Sequence, residues 1–347
     1  MPPRSSPHSL ALRVALLASA APSPSLAAKG ADLCVLFAST AFRGFHFGRV
    51  DFAAKRVGDL LALPPTLTGA GGGVAAGADD GVFYIPNPDV AYNVLIELNI
   101  LTNSTTTRTI APPPAYKGSV PAFYTMQLND AVGDLWALFE ESRSIAWVVA
   151  ATVFPANATS VALTPNFAQQ WIADFQWRKV GVATVDTKRS LFYFVAGVGA
   201  QGAETLVGVP VGDPSAPVKF VEKGGPSGPS SDIDFLGYCA PLDLFVVSTF
   251  SINTGIAAVK TMPAASAGGG AAWKTLYSWK VGAESDMELG NADLSADGLT
   301  FYVALTDGKS GMPTYFAFDV STGKLINSFV VPAAQWPDMI TAEVVTC

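Results

Sequence analysis

Histidine is nearly absent from this chain: two residues in 347, His8 and His46. A zinc site built on several histidines is thereby excluded. A Ser-His-Asp triad would have to use His46, because His8 falls in the N-terminal leader. His46 lies in "RGFHFG" between Phe45 and Phe47 with no supporting motif, which reads as a structural imidazole. Neither G-x-S-x-G nor a phosphate-cradling loop occurs, and "GAGGGVAAG" reads as a glycine-rich approach to a strand. Charge is scarce too, at 14 % of residues, with a net value of -7. No basic stripe exists to neutralise phosphates, so nucleic acid is excluded as a partner. Beyond the N-terminus the longest apolar run is "IAWVVAATVF", too short to span a bilayer. Cysteine is limited to Cys34, Cys239 and Cys347, which allows at most one disulfide and leaves one thiol free.

Apolar residues, turn formers and an N-terminal address are what the chain does have. Half of its residues are hydrophobic, ample for a core, and Gly with Pro makes up about a sixth. This suits many short strands joined by turns. Arg4 and Arg13 precede the apolar run "VALLASAA", and Ala18 and Ala20 form an A-x-A cleavage pattern, with "SLAA" ending at Ala28 as a second cut. Residues 1–28 are therefore expected to be a signal peptide, and 31–347 one domain of a secreted protein. Two N-x-S/T sequons, at Asn103 and Asn157, agree with a secretory route and with N-glycosylation there.

The domain repeats itself. "LCVLFAST" (33–40), "VFYIPNP" (82–88), "DLWALFEE" (134–141), "LFYFVAG" (191–197), "DLFVVSTF" (243–250) and "LTFYVALT" (299–306) start about 50–55 residues apart. Each is followed by a longer strand, such as "AYNVLIELNI" or "PTYFAFDV", and most units close on a fourth, such as "WKTLYSWK" or "KLINSFVV". Six units of four antiparallel strands predict an all-β, six-bladed β-propeller. A lone blade cannot hide both faces, so middle strands such as "LFYFVA" read as continuous apolar runs rather than alternations. A β-sandwich pair lacks this spacing, and β-helix coils are shorter.

The last unit, "SADG…FYVAL…YFAFDVSTGK", resembles the repeats of YVTN-type and quinoprotein-like propellers, with a D-x-x-T-G-K turn leaving the third strand. The resemblance implies the fold and places ligands on one rim. That rim is formed by the loops between blades and those joining second to third strands. It implies no particular chemistry.

Strand counting predicts how the ring shuts. The first unit has three strands and lacks an innermost one, while "DMITAEVVTC" is spare at the C-terminal end. Pairing this tail beside "LCVLFAST" completes the first blade and removes a bare edge. Antiparallel pairing brings Cys347 near Cys34, and a disulfide there would act as a clasp, the alternative being two buried thiols. Cys239 reads as a small core filler.

Two features of the rim carry candidate chemistry. Asp232 ("SSDID"), Asp286 ("ESDME") and Asp338 ("WPDMI") enter innermost strands at matching positions, and Glu288 and Asn291 add oxygen donors near Asp286. Such a set suits a hard cation such as Ca²⁺, although Asp before a strand also commonly binds turn N–H groups. The longest between-blade loop carries Trp171, Phe175 and Trp177, and Trp336 stands in the last one. These rings either face a glycan or protein partner or pack down as a plug.

The leading expectation is a secreted, monomeric scaffold that binds a protein or glycan on its rim without turnover. The alternative is a metal-dependent hydrolase resembling six-bladed lactonases, in which a Glu, Asn and Asp set surrounds one ion. A quinone-dependent dehydrogenase fits less well, because no Trp-rich floor is recognisable.

Overall fold

The structure is a computed structural model that describes residues 33–39, 44–63, 75–76, 81–87, 94–109, 122–129, 134–140, 149–155, 182–198, 203–210, 219–220, 231–251, 254–266, 272–280, 292–306, 312–336 and 339–347. Its strands fall in chain order into six groups. The first holds β1 (Leu33–Ser39), β2 (Phe45–Asp51) and β3 (Arg56–Ala62); the second β4 (Ala75–Ala76), β5 (Val82–Asn87), β6 (Val94–Asn99) and β7 (Ser104–Thr109). The third holds β8 (Ala122–Asn129), β9 (Asp134–Glu140) and β10 (Val149–Pro155); the fourth β11 (Ala183–Asp186), β12 (Leu191–Val198), β13 (Ala203–Pro210) and β14 (Lys219–Phe220). The fifth holds β15 (Ser231–Cys239), β16 (Leu244–Ser251), β17 (Ile256–Pro263) and β18 (Lys274–Lys280). The sixth holds β19 (Ala292–Leu294), β20 (Thr300–Thr306), β21 (Pro313–Asp319) and β22 (Leu325–Val330), and β23 (Met339–Thr346) follows.

Each group is an antiparallel meander, and β23 returns to the front of the chain. The first sheet has the order β23-β1-β2-β3, so the tail supplies its innermost strand. The ladder runs from Leu33 opposite Thr346 to Ser39 opposite Met339, with one bulge between Leu36 and Phe37. The innermost strands then neighbour one another around a circle: β23, β4, β8, β11, β15, β19 and back to β23. The fold is a six-bladed β-propeller. "SVALTP", expected as the fourth strand of the third blade, lies outside the described residues.

Stacked faces explain the apolar pattern. Leu33, Val35 and Phe37 of β1 pack against Tyr302, Tyr315 and Phe329 of the sixth blade. The alternate residues Cys34 and Leu36 turn the other way, onto Phe83 and Ile85 of the second. Both faces of a second strand are therefore covered, which is why β16 is buried at every position but its first. Outer strands diverge from their neighbours and lose this cover, so β18 and β22 are exposed at about half their positions. Each large side chain buried between blades contributes roughly 1.5–3 kcal/mol.

One turn recurs. Asp51, Asn99, Asp186 and Asp319 each close a strand and accept a backbone N–H three residues on, from Ala54, Thr102, Arg189 and Thr322 at 2.8–3.0 Å. The fourth residue after each is left-handed: Lys55 (φ 52°), Asn103 (φ 53°), Ser190 (φ 52°) and Gly323 (φ 71°). At Gly323 the glycine is also required sterically, because a Cβ would sit 2.7 Å from the Leu276 carbonyl oxygen.

Candidate functional site

The rim where innermost strands begin is fixed by register. Asp232, the second residue of β15, lies opposite Phe250 near the end of β16, and Met339 opens β23 opposite Ser39 at the end of β1. Both innermost strands thus enter the ring at the same rim. Asp338 directly precedes Met339 but, like Asp286, Glu288 and Asn291, lies outside the described residues. Trp171, Phe175 and Trp177 also lie outside them, as does Asn157. Among the described residues, no group of three or more His, Cys, Asp or Glu is placed to hold a metal ion.

Trp336 takes the packed arrangement of the two open to it. It is 7 % exposed, meets Phe37 edge-on at 4.7 Å between ring centroids, and lies 5.7 Å from the His46 ring. Its indole N–H donates to the Val57 carbonyl at 2.9 Å. The Gln335 amide brackets the same residue, donating to Val57 O at 2.8 Å and accepting from Val57 N at 3.3 Å. The loop leaving the sixth blade is thereby fastened onto the first. His46 is buried and stacked on Phe37 at 5.4 Å, the structural role its sequence setting indicated.

The clasp is present. Cys34 and Cys347 form a disulfide with Cα atoms 5.6 Å apart, and Cys239 is a free, buried thiol held up in pKa by its burial. Beside the clasp stands a group that strand counting had not singled out. Asp293 of β19 accepts the backbone N–H of Leu294 at 2.8 Å, the backbone N–H of Thr346 at 2.8 Å and the Thr346 hydroxyl at 3.3 Å. Enclosure between innermost strands raises its carboxyl to about 6, against the pull of these three donors. Tyr315 and Thr341 share a second buried hydroxyl contact between β21 and β23, at 2.7 Å.

At the opposite rim, where first and second strands turn, the fourth and fifth blades are joined by charge. The Arg189 guanidinium donates to Asp186 Oδ2 at 2.7 Å and to both oxygens of Asp243 at 2.8 Å. The Tyr238 hydroxyl donates to Asp243 at 2.9 Å, and Lys188 Nζ approaches it at 3.3 Å. Arg189 holds the Asp243 carboxyl well below the usual carboxylate range, while burial, then the bond to Asp243, push the Tyr238 phenol up. Burial likewise raises the neighbouring Tyr193 to about 12. Every acid here is answered by a donor, so the cluster is a strut between blades and not an acid–base pair poised for turnover. The signal in the sequence was a charged turn, "DTKRS", one blade ahead of "APLDL".

No protein-family model matches the chain, and no curated protein does. Solved structures do. It is similar to puromycin hydrolase at 16 % identity and TM-score 0.53, covering 86 % of this chain and 45 % of that one. It is similar to oligogalacturonate lyase in complex with manganese at 10 % identity and TM-score 0.50, covering 83 % and 71 %. A third is oligogalacturonate lyase from Vibrio parahaemolyticus, at 8 % identity and TM-score 0.50, covering 85 % and 73 %. The likeness is one of fold. The chain spans less than half the length of puromycin hydrolase.

Proposed function

We propose that the chain is a secreted, metal-dependent hydrolase that works at the mouth of its central channel. The observation that supports this reading is the shared entry of β15 and β23 at one rim, with Asp232 on the first and Asp338 one residue ahead of the second. Asp286, Glu288 and Asn291 precede β19, the innermost strand between them in the ring. The donor set fits a hard divalent cation, Ca²⁺ or Mn²⁺: four carboxylates and an amide, with neither histidine nor thiolate. When bound, such a cation polarises a carbonyl or acidifies a water. The carboxylates Asp232 and Asp338 would hold it, and Asn291 would supply a neutral oxygen. The fold shared with a lyase complexed with manganese, and with a hydrolase, supports catalysis over passive display. The burial of Trp336 removes one of the four rings on which a glycan-binding rim would rest.

A secretory route belongs to the same proposal. The Cys34–Cys347 disulfide suits an oxidising compartment, and among the described residues no helix is long and apolar enough to cross a membrane.

The test is elemental analysis of protein collected from a secretory host, with melting curves before and after a chelator. One calcium or manganese per chain, lost in Asp232→Asn and Asp338→Asn variants, is expected, together with a melting temperature that drops on chelation. No bound metal and chelator-insensitive melting would overturn the reading. The rim would then be a binding surface, identified by glycan-array signal lost in a Trp171→Ala, Trp177→Ala variant.

A further inference from the structure

The turn that joins β6 to β7 differs from its sisters in the residue at its left-handed corner. Lys55, Ser190 and Gly323 fill the equivalent corner elsewhere, so the turn itself does not demand asparagine. In the second blade the corner is Asn103, at φ 53°, followed by Ser104 and Thr105. All three are exposed, and they cap a hairpin whose last strand, β7, is the outermost of its sheet. An Asn-x-Ser/Thr triplet with x other than proline, at an exposed tip, presents its carboxamide for N-glycosylation.

We propose that Asn103 carries an N-linked glycan on the outer flank of the second blade. The Asn103 side-chain nitrogen attacks the anomeric carbon of an oligosaccharide linked to a polyprenyl diphosphate. The N–C bond forms, the bond from that carbon to the diphosphate oxygen breaks, the amide gives up one proton, and polyprenyl diphosphate leaves. The position follows from topology: third-to-fourth-strand turns lie farthest from the innermost strands, so the sugar stands clear of the channel. It stands beside the outer edge of β7, the outermost strand of its sheet among the described residues, with one charge, Arg108, and a row of four exposed residues from Ser104 to Thr107. An edge so dressed is closed to pairing with another chain.

This inference rests on the secretory part of the proposed function and not on the metal. The full chain is expressed in a eukaryotic secretory host, collected from the medium and mapped by peptide mass after enzymatic glycan release. The Asn157→Gln variant removes the other sequon; it is compared with Asn157→Gln/Thr105→Ala and Asn157→Gln/Asn103→Gly, the last keeping a residue suited to the left-handed corner. One glycan on Asn157→Gln, at Asn103, and none on either double variant is the expected result. A chain secreted with the Cys34–Cys347 disulfide intact but unmodified at Asn103 overturns this inference and leaves the secretory reading standing. A chain that never reaches the medium and keeps Cys34 and Cys347 reduced overturns both.

Discussion

Removing the clasp by a Cys34→Ala, Cys347→Ala double substitution should destabilise the ring chiefly by freeing the unfolded chain rather than by removing buried surface. The disulfide closes a loop of 313 residues. In the chain-entropy account, a loop of that length restricts the unfolded chain by about 5–6 kcal/mol at 25 °C, with native strain or residual unfolded structure reducing the figure. The contacts that remain are local to β23: its seven-pair ladder with β1, the Asp293 bonds to Thr346 and the Tyr315–Thr341 contact. They hold the strand in place but do not shorten the unfolded chain. The double variant, and wild type in reductant, should therefore denature at a midpoint lower by the equivalent of about 3–6 kcal/mol, a fall in melting temperature of about 5–9 °C. Amide exchange should accelerate in residues 339–346 and 33–39 before it does in β16. The reasoning fails if non-reducing peptide maps of oxidised protein yield Cys34 and Cys347 as free thiols. It also fails if the double variant denatures with the oxidised wild type.

Three further outcomes follow from the same contacts. The Asp293 carboxyl is raised to about 6 from an ordinary value near ~3.9, so the folded chain holds an extra proton between them, and the stability this contributes is complete below about pH 4 and lost as pH rises through 6. An Asp293→Asn variant should match wild type near pH 4 and exceed it by about 1–2 kcal/mol at pH 7.5, after allowance for partial exposure; parallel pH profiles of melting temperature would contradict this. Trp336→Phe keeps a ring against Phe37 but strips one donor from Val57 and should cost about 1–2 kcal/mol. Trp336→Ala should cost about 3–5, and urea denaturation separates the two. Arg189→Leu leaves the fully buried Asp186 carboxylate and Asp243 without their shared cation. A loss of about 1–3 kcal/mol at pH 7 is expected, shrinking as acid protonates Asp243; an unchanged denaturation midpoint would show that the strut contributes nothing.

The ring was legible in the sequence because a strand buried on both faces leaves a continuous apolar run, and six such runs at even spacing have few other arrangements. The closure was legible by counting, since three strands at the front and one at the back make a single sheet. Of "GAGGGVAAG", only Ala75 and Ala76 fall among the described residues, where they form the two-residue strand β4. The contacts between blades were not legible. Trp336 finds Val57 across 279 residues and Arg189 finds Asp243 across 54, because blades bring equal heights together while saying nothing of which side chain turns toward which neighbour. Asp293 was hidden for the same reason: three residues of strand, "ADL", show an acid among apolar neighbours but not that Thr346 waits opposite. Of the proposed cation ligands, only the backbone of Asp232 falls among the described residues, so register places the rim and not the donors.

The β1–β23 ladder also sets a timetable. At ribosomal speeds of about 5–20 residues per second, the partner of Cys34 emerges roughly 15–60 s after Cys34 itself. Throughout that interval β1 presents one bare flank to everything else in the compartment. A newborn chain therefore carries β1 unfinished until β23 follows it, and a ribosome that stalls between the two leaves the first blade open.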